Sequence, residues 1–197
     1  MNYEIHLTVS LSEGYDNLAR FKETCEMLEA KAIVIDAYPL RDVMTSYRMK
    51  AETNKEVFHT MTHQVLVLEG RGFHVLRSKV ETDLGNPQSW DPLPNQYFES
   101  HIQLSLTANE LQELKSLQEE LDFHISSNAF KPVIDCRHVR MVTIRQYHTT
   151  PEDFTKRIEA FRRVLQREGF TLVKDMELEF ALYDSNQQHD RPWLEAR

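Results

Sequence analysis

Apolar and polar residues alternate over residues 3–10, with Ile5, Leu7 and Val9 against Glu4, His6, Thr8 and Ser10. That period of two predicts a half-buried strand. Leu18, Phe21, Cys25 and Leu28 then fall at helical spacing, followed by short strands around Ala32 to Ile35 and Val43 to Lys50. Thr53-Asn54-Lys55-Glu56 has the form of a capping box, and it opens a helix whose buried stripe is Val57, Met61, Val65 and Leu68. Gly70 and Gly72 end that helix, and Phe73 to Thr82 reads as a further strand. The order is βαββαβ.

Leu84 to Gln96 carries Gly85, Pro87, Pro92 and Pro94, a linker composition. Beyond it the order repeats. Tyr97 to Leu106 is a strand, and Thr107-Ala108-Asn109-Glu110 caps a helix carrying Leu111, Leu114, Leu117 and Leu121. Strands follow at Phe123 to Phe130 and Val139 to Tyr147. Thr150-Pro151-Glu152-Asp153 starts a last helix with Phe154, Ile158, Phe161 and Leu165 inward, and Thr171 to Tyr183 closes the series. Local echoes support a repeat: Met44 to Arg48 and Met141 to Arg145 lie 97 positions apart, as do Gly72-Phe73 and Gly169-Phe170, while His6 and His101 lie 95 apart. The expected fold is α+β, a tandem duplication of a ferredoxin-like βαββαβ unit. It predicts two antiparallel sheets, each with helices on one face, whose open faces form a groove or barrel-like cavity. The boundaries are 1–83 for the first half, 84–96 for the linker, 97–184 for the second half and 185–197 for a polar tail containing Trp193.

With 197 residues, each half is small enough to gain from packing on the other. The net charge of −8 argues against a general nucleic-acid or anionic-membrane binder. Cys25 and Cys136 lack metal-ligand spacing, and no apolar stretch approaches a signal core or a membrane span. The chain therefore reads as soluble and cytoplasmic, with no oligomeric state implied.

If the apolar positions face the helices, the open faces carry Glu4, His6, Thr8, Ser46, Arg48, Arg77, Lys79 and Glu81 in the first half. The second half contributes Glu99, His101, Gln103, Ser105, His124, Ser126, Asn128, Thr143, Arg145, Glu177 and Glu179. A solvated sheet face is the plain explanation. The abundance of His, Arg, Asn and Gln instead favours a groove that binds a polar, anionic small molecule.

Ile5-His6-Leu7-Thr8-Val9 fits apolar-His-x-Thr-apolar and resembles the motif of the LigT-like two-histidine phosphoesterases. The second copy, His101-Ile102-Gln103-Leu104, places Gln where that motif has Thr or Ser. The resemblance implies His6 and His101 as an acid–base pair acting on a phosphorylated or nucleotide-like molecule. Thr8, Gln103, Arg48 and Arg145 would bind the anion, with Ser46, Asn128 and Thr143 lining the groove and Glu81 and Glu179 orienting histidines or substrate. No cofactor is required. Two alternatives stay open: a divalent metal held by His6, Glu81, His101 and Glu179, and a binding or interaction protein without turnover. His59 and His63, four apart on a helix, lack the intervening Glu of a metalloprotease and read as surface residues. Lys156, Arg157, Arg162, Arg163 and Arg167 read as a solvated helix face. Asp184 to Asn186 reads as a turn, or as a segment that reaches the mouth of the groove.

Overall fold

The computed structural model describes residues 1–11, 15–37, 40–130 and 136–192, so Trp193 lies outside the described residues. The first half runs β1 (Asn2–Ser10), α1 (Tyr15–Met27), β2 (Lys31–Ala37), β3 (Leu40–Lys50), α2 (Asn54–Gly70) and β4 (His74–Asp83). The second runs β5 (Tyr97–Leu106), α3 (Ala108–Ser116), a short α4 (Gln118–Leu121), β6 (His124–Asn128), β7 (His138–Tyr147), α5 (Pro151–Arg167), β8 (Thr171–Leu172) and β9 (Glu177–Asp184). Strands are ordered β2-β3-β1-β4 in the first half and β6-β7-β5-β9 in the second, the ferredoxin-like order in both.

The two sheets expected from sequence are in fact one. β4 pairs antiparallel with β9, and β2 with β6, so eight strands close into a barrel. Each half alone would present two edges of unpaired N–H and C=O groups, and joining the halves edge to edge satisfies both sets. The expected continuous strand from Thr171 to Tyr183 is also split. β8 and β9 both pair with β5, and residues 173–176 leave the ladder between them. This excursion carries Lys174 to the cavity wall. A 3-10 turn, Pro87–Trp90, sits between the halves, and a second, Gln187–Asp190, follows β9.

The apolar core lies outside the barrel wall, beneath the helices. Ile5, Leu7, Phe98, Ile102, Val142 and Phe180 are fully buried on the strands. They meet Phe21 and Cys25 of α1, Val57 and Leu68 of α2, Leu114 of α3, and the predicted Phe154, Ile158, Phe161 and Leu165 stripe of α5. Burying each large side chain stabilises by roughly 1.5–3 kcal/mol. Thr53, Thr107 and Thr150 cap α2, α3 and α5 by accepting from the N–H three residues on. Gly72 and Gly169 both have φ +82 and end α2 and α5 with the same pair of bonds. Their N–H groups donate to Glu69 and Gln166, and those of Phe73 and Phe170 to Leu68 and Leu165. The repeated Gly-Phe is thus a repeated helix stop.

Candidate functional site in the barrel lumen

Since the apolar side of β1, β4, β5 and β9 faces the helices, their polar side faces inward, around a cavity of about 640 Å³ that β2, β3 and β7 also wall. An eight-stranded barrel has room for one small ligand. His6, Thr8, Ser46, Arg48, Glu81, His101, Gln103, Asn128, Thr143, Arg145 and Glu179 all line this cavity. His59 and His63 are exposed on α2 and take no part in it.

The register repeats the same group of side chains in each half. Glu4 lies opposite Arg48 and Glu81, and His6 opposite Ser46. Glu99 lies opposite Arg145 and Glu179, and His101 opposite Thr143. Each histidine therefore stands between two glutamates. His6 Nε2 is 3.1 Å from Glu81 and 3.5 Å from Glu4. His101 Nε2 is 3.5 Å from Glu179 and 3.6 Å from Glu99. Glu81 brings the halves together, since His101, Glu81 and Glu99 place ligand-capable atoms within 4.8 Å of one another.

The two imidazoles differ on their other side. His6 Nδ1 is 3.3 Å from the Thr45 carbonyl, which can only accept, so Nδ1 donates. Nε2 is then the ring nitrogen presented to the Glu81 carboxylate. His101 Nδ1 meets the Thr143 hydroxyl at 3.1 Å, which can donate or accept, so either tautomer fits. Burial holds the His101 pKa below its usual value, against the pull of Glu99 and Glu81, and leaves it neutral at neutral pH.

Lys79 is buried at the centre, 2.6 Å from Glu81 and in contact with Glu99. Burial alone would lower its pKa, but Glu81 and Glu99 outweigh burial and hold the ammonium charged. Burial likewise pushes the Glu81 carboxyl up, and Lys79 and then His6 hold it well below the usual range. Arg145 and Lys79 overcome burial at Glu99 and hold it at about 2. Glu179 goes the other way: burial and the nearby Glu81 and Glu4 push it well above the carboxylate range. The raised Glu179 carboxyl sits 3.5 Å from the His101 imidazole, whose pKa is lowered.

Glu81, Glu99 and His101 are a donor set suited to a divalent cation. Lys79 already supplies the positive charge between two of them, so a metal fits only if Lys79 moves.

Alternation placed Lys79, Arg77, Glu4, Glu99 and Glu177 on this face without giving them a role. The sequence reading missed Lys31, Ile33 and Ile35 because β2 is too apolar for its facing to be read, and Asp42 because β3 begins at Leu40, ahead of the expected Val43. It also missed Asp190, which lies in an aperiodic polar tail. Asp184, read as part of a turn, is buried on Arg77.

No protein-family model and no curated protein matches the chain. Solved structures with a similar course include an unknown protein from Galdieria sulphuraria, 11% identical, covering 92% of this chain and 100% of that one at a TM-score of 0.30. Another is the acetolactate synthase small subunit of Thermotoga maritima, 10% identical, covering 93% and 96% at 0.30. A mutant chlorite dismutase from Candidatus Nitrospira defluvii is 13% identical and covers 99% and 94% at 0.31. Likeness at this level assigns no activity.

Proposed function

We propose that the lumen is the site of an acid–base enzyme acting on a small molecule, with His6 and His101 exchanging protons with it. The observation that carries this reading is the repeated glutamate–histidine–glutamate group, which faces a ligand-sized cavity from both halves. His6, with Nε2 3.1 Å from the Glu81 carboxylate, is assigned as the acid, and His101, neutral and free in tautomer, as the base. Carboxyls pushed in opposite directions, Glu99 down and Glu179 up, are a mark of divided proton-transfer roles.

Two walls of the cavity describe the substrate. Ile33, Ile35, Met44 and Met141 offer an apolar surface for a planar or aliphatic body, as a nucleotide-like molecule has. Four glutamates around the imidazoles oppose a phosphate dianion between them. Arg48, 61% exposed, stands with Lys31 and Lys174 at the mouth and receives the phosphate there. Thr8, Ser46, Gln103, Asn128 and Thr143 supply hydrogen bonds to the body of the molecule. Phosphoester hydrolysis is the reaction class to test first, on diesters whose singly charged phosphate reaches the histidines while a terminal phosphate stays at the mouth.

The test is a panel of phosphomonoesters, phosphodiesters and nucleotides, followed by ³¹P NMR and by thermal shift. Turnover should fall roughly 10²–10⁴-fold in His6→Ala and in His101→Ala while both stay folded. Binding that persists in both variants, with no turnover in the parent protein, would replace the enzyme with a ligand-binding protein of the same fold.

A further inference from the structure

We propose that the closed end of the barrel is a binding site for a carboxylate, and that Asp190 of the chain's own terminal turn occupies it in this structure. Asp190 divides its two oxygens between guanidiniums from different halves. Arg77 Nη1 donates to one at 2.7 Å and Arg145 Nη2 to the other at 2.5 Å. A bound carboxylate would be held in the same way.

The arginines are fixed without Asp190. Arg77 donates to Asp184 through Nε at 2.9 Å and Nη2 at 2.6 Å, and Nη2 also reaches the Tyr97 hydroxyl at 3.2 Å. Arg145 Nε donates to Glu99 at 2.6 Å, and its side chain is 5% exposed. A separate observation points to a ligand. Arg145 Nη1 is buried with no hydrogen-bond partner among the described residues. An unused donor on a buried cation is costly, and a ligand with one more acceptor than Asp190 would satisfy it.

The turn that delivers Asp190 is held by polar contacts. Gln187 donates to the Asn95 carbonyl, and His189 meets Asp42 at 2.7 Å. None of Gln187–Asp190 joins the apolar core. Exchanging Asp190 for another carboxylate leaves the charge of this end unchanged. A phosphate dianion would add charge beside Asp184 and Glu99, which selects the carboxylate. Because Glu99 contacts both Arg145 and His101, a carboxylate bound here directs the rest of its molecule along the lumen toward the histidines. The inference rests on the lumen being a ligand cavity and not on turnover.

Acetate is the probe. In the full-length protein, hydrogen–deuterium exchange at residues 187–190 should quicken with sodium acetate relative to sodium chloride of equal ionic strength. Asp190→Ala should show a saturable rise in Tm with acetate that chloride does not give. Asp190→Asn, which keeps the side-chain shape, provides the same reading should the alanine variant not fold. Absence of any acetate-specific response in all three proteins would overturn the site, and a response to phosphate with none to acetate would overturn its ligand class. Repeating the Tm series in Asp190→Ala combined with His6→Ala separates the two proposals: an unchanged acetate response keeps this site whether or not the histidines are catalytic.

Discussion

Removing the Lys79 ammonium should cost more stability than any other single change in the lumen, and it should reverse the response of the protein to acid. Lys79→Met keeps the length and packing of the stem but leaves Glu81, 1% exposed, without its main counter-charge. Breaking a buried ion pair in this way costs about 3–5 kcal/mol. For comparison, holding Glu99 at about 2 rather than 4.5 corresponds to about 3 kcal/mol. Arg145 keeps most of that stabilisation in the variant, so the loss falls chiefly on Glu81. In a chain of this size the deficit lowers Tm by about 10 °C. The parent's Glu81 and Glu99 are depressed in the folded state. They contribute stability that is present above the unfolded carboxylate range and lost as pH falls toward their folded values. In Lys79→Met, burial dominates at Glu81 and raises its pKa, so the contribution of that group improves as pH falls from 7 to 5. Urea unfolding followed by far-UV circular dichroism at both pH values is the assay. A loss under about 1 kcal/mol at pH 7, with the parent's acid response retained, would refute the argument that Lys79 is the central counter-ion. The variant also frees Glu81, Glu99 and His101, so Mn²⁺ or Zn²⁺ should stabilise it and leave the parent unchanged.

Two further predictions follow from single residues. Glu179 is raised in the folded state, so its contribution to stability is full below the unfolded carboxylate pKa and is lost as pH rises through the folded value. Glu179→Gln, neutral at every pH, should remove that decline, which parallel urea titrations of variant and parent across the range will measure. Gly72→Ala and Gly169→Ala should each cost about 1–2 kcal/mol for the left-handed backbone. The two losses should match, because the nearest atom to a new Cβ at Gly72 is Arg20 Nη2 at 4.0 Å and at Gly169 nothing lies within 4 Å. Unequal losses in chemical denaturation would show that the two helix stops are not equivalent.

The strand faces were legible wherever one side of a strand packs on a helix, because burial then imposes alternation. β1 and β5 declared Glu4, His6, Glu99 and His101 in this way, and the threonine caps and Gly-Phe stops declared the helices. Closure of the barrel was not legible. It depends on which edges meet, and the β2–β6 and β4–β9 pairings leave no periodic trace in either partner. Lys79 was placed on the right face, yet its role depends on Glu99, 20 residues away in the other half. The break at residues 173–176 escaped notice because Val173 and Met176 continue an apolar pattern that the backbone does not follow. Asp190 had no pattern to join.

The two seams that close the ring are not equally strong, and this gives the barrel a mechanical direction. Along β4 and β9 five residue pairs run from Lys79–Asp184 to Asp83–Glu179, and the Arg77–Asp184 fork lies beside them. Among the described residues the β2–β6 seam has Ile35–Asn128 and Asp36–Ser127, extended by the Ala129 N–H to the Val34 carbonyl at 2.9 Å. One seam is a spine and the other a clasp. Thermal opening takes the path with the fewest bonds to break, so the halves part at the clasp while the spine holds them in register. Ile33 and Ile35 of the apolar wall lie on the clasp strand. Opening there would uncover the apolar wall before it reached the buried Arg77 and Lys79 ion pairs.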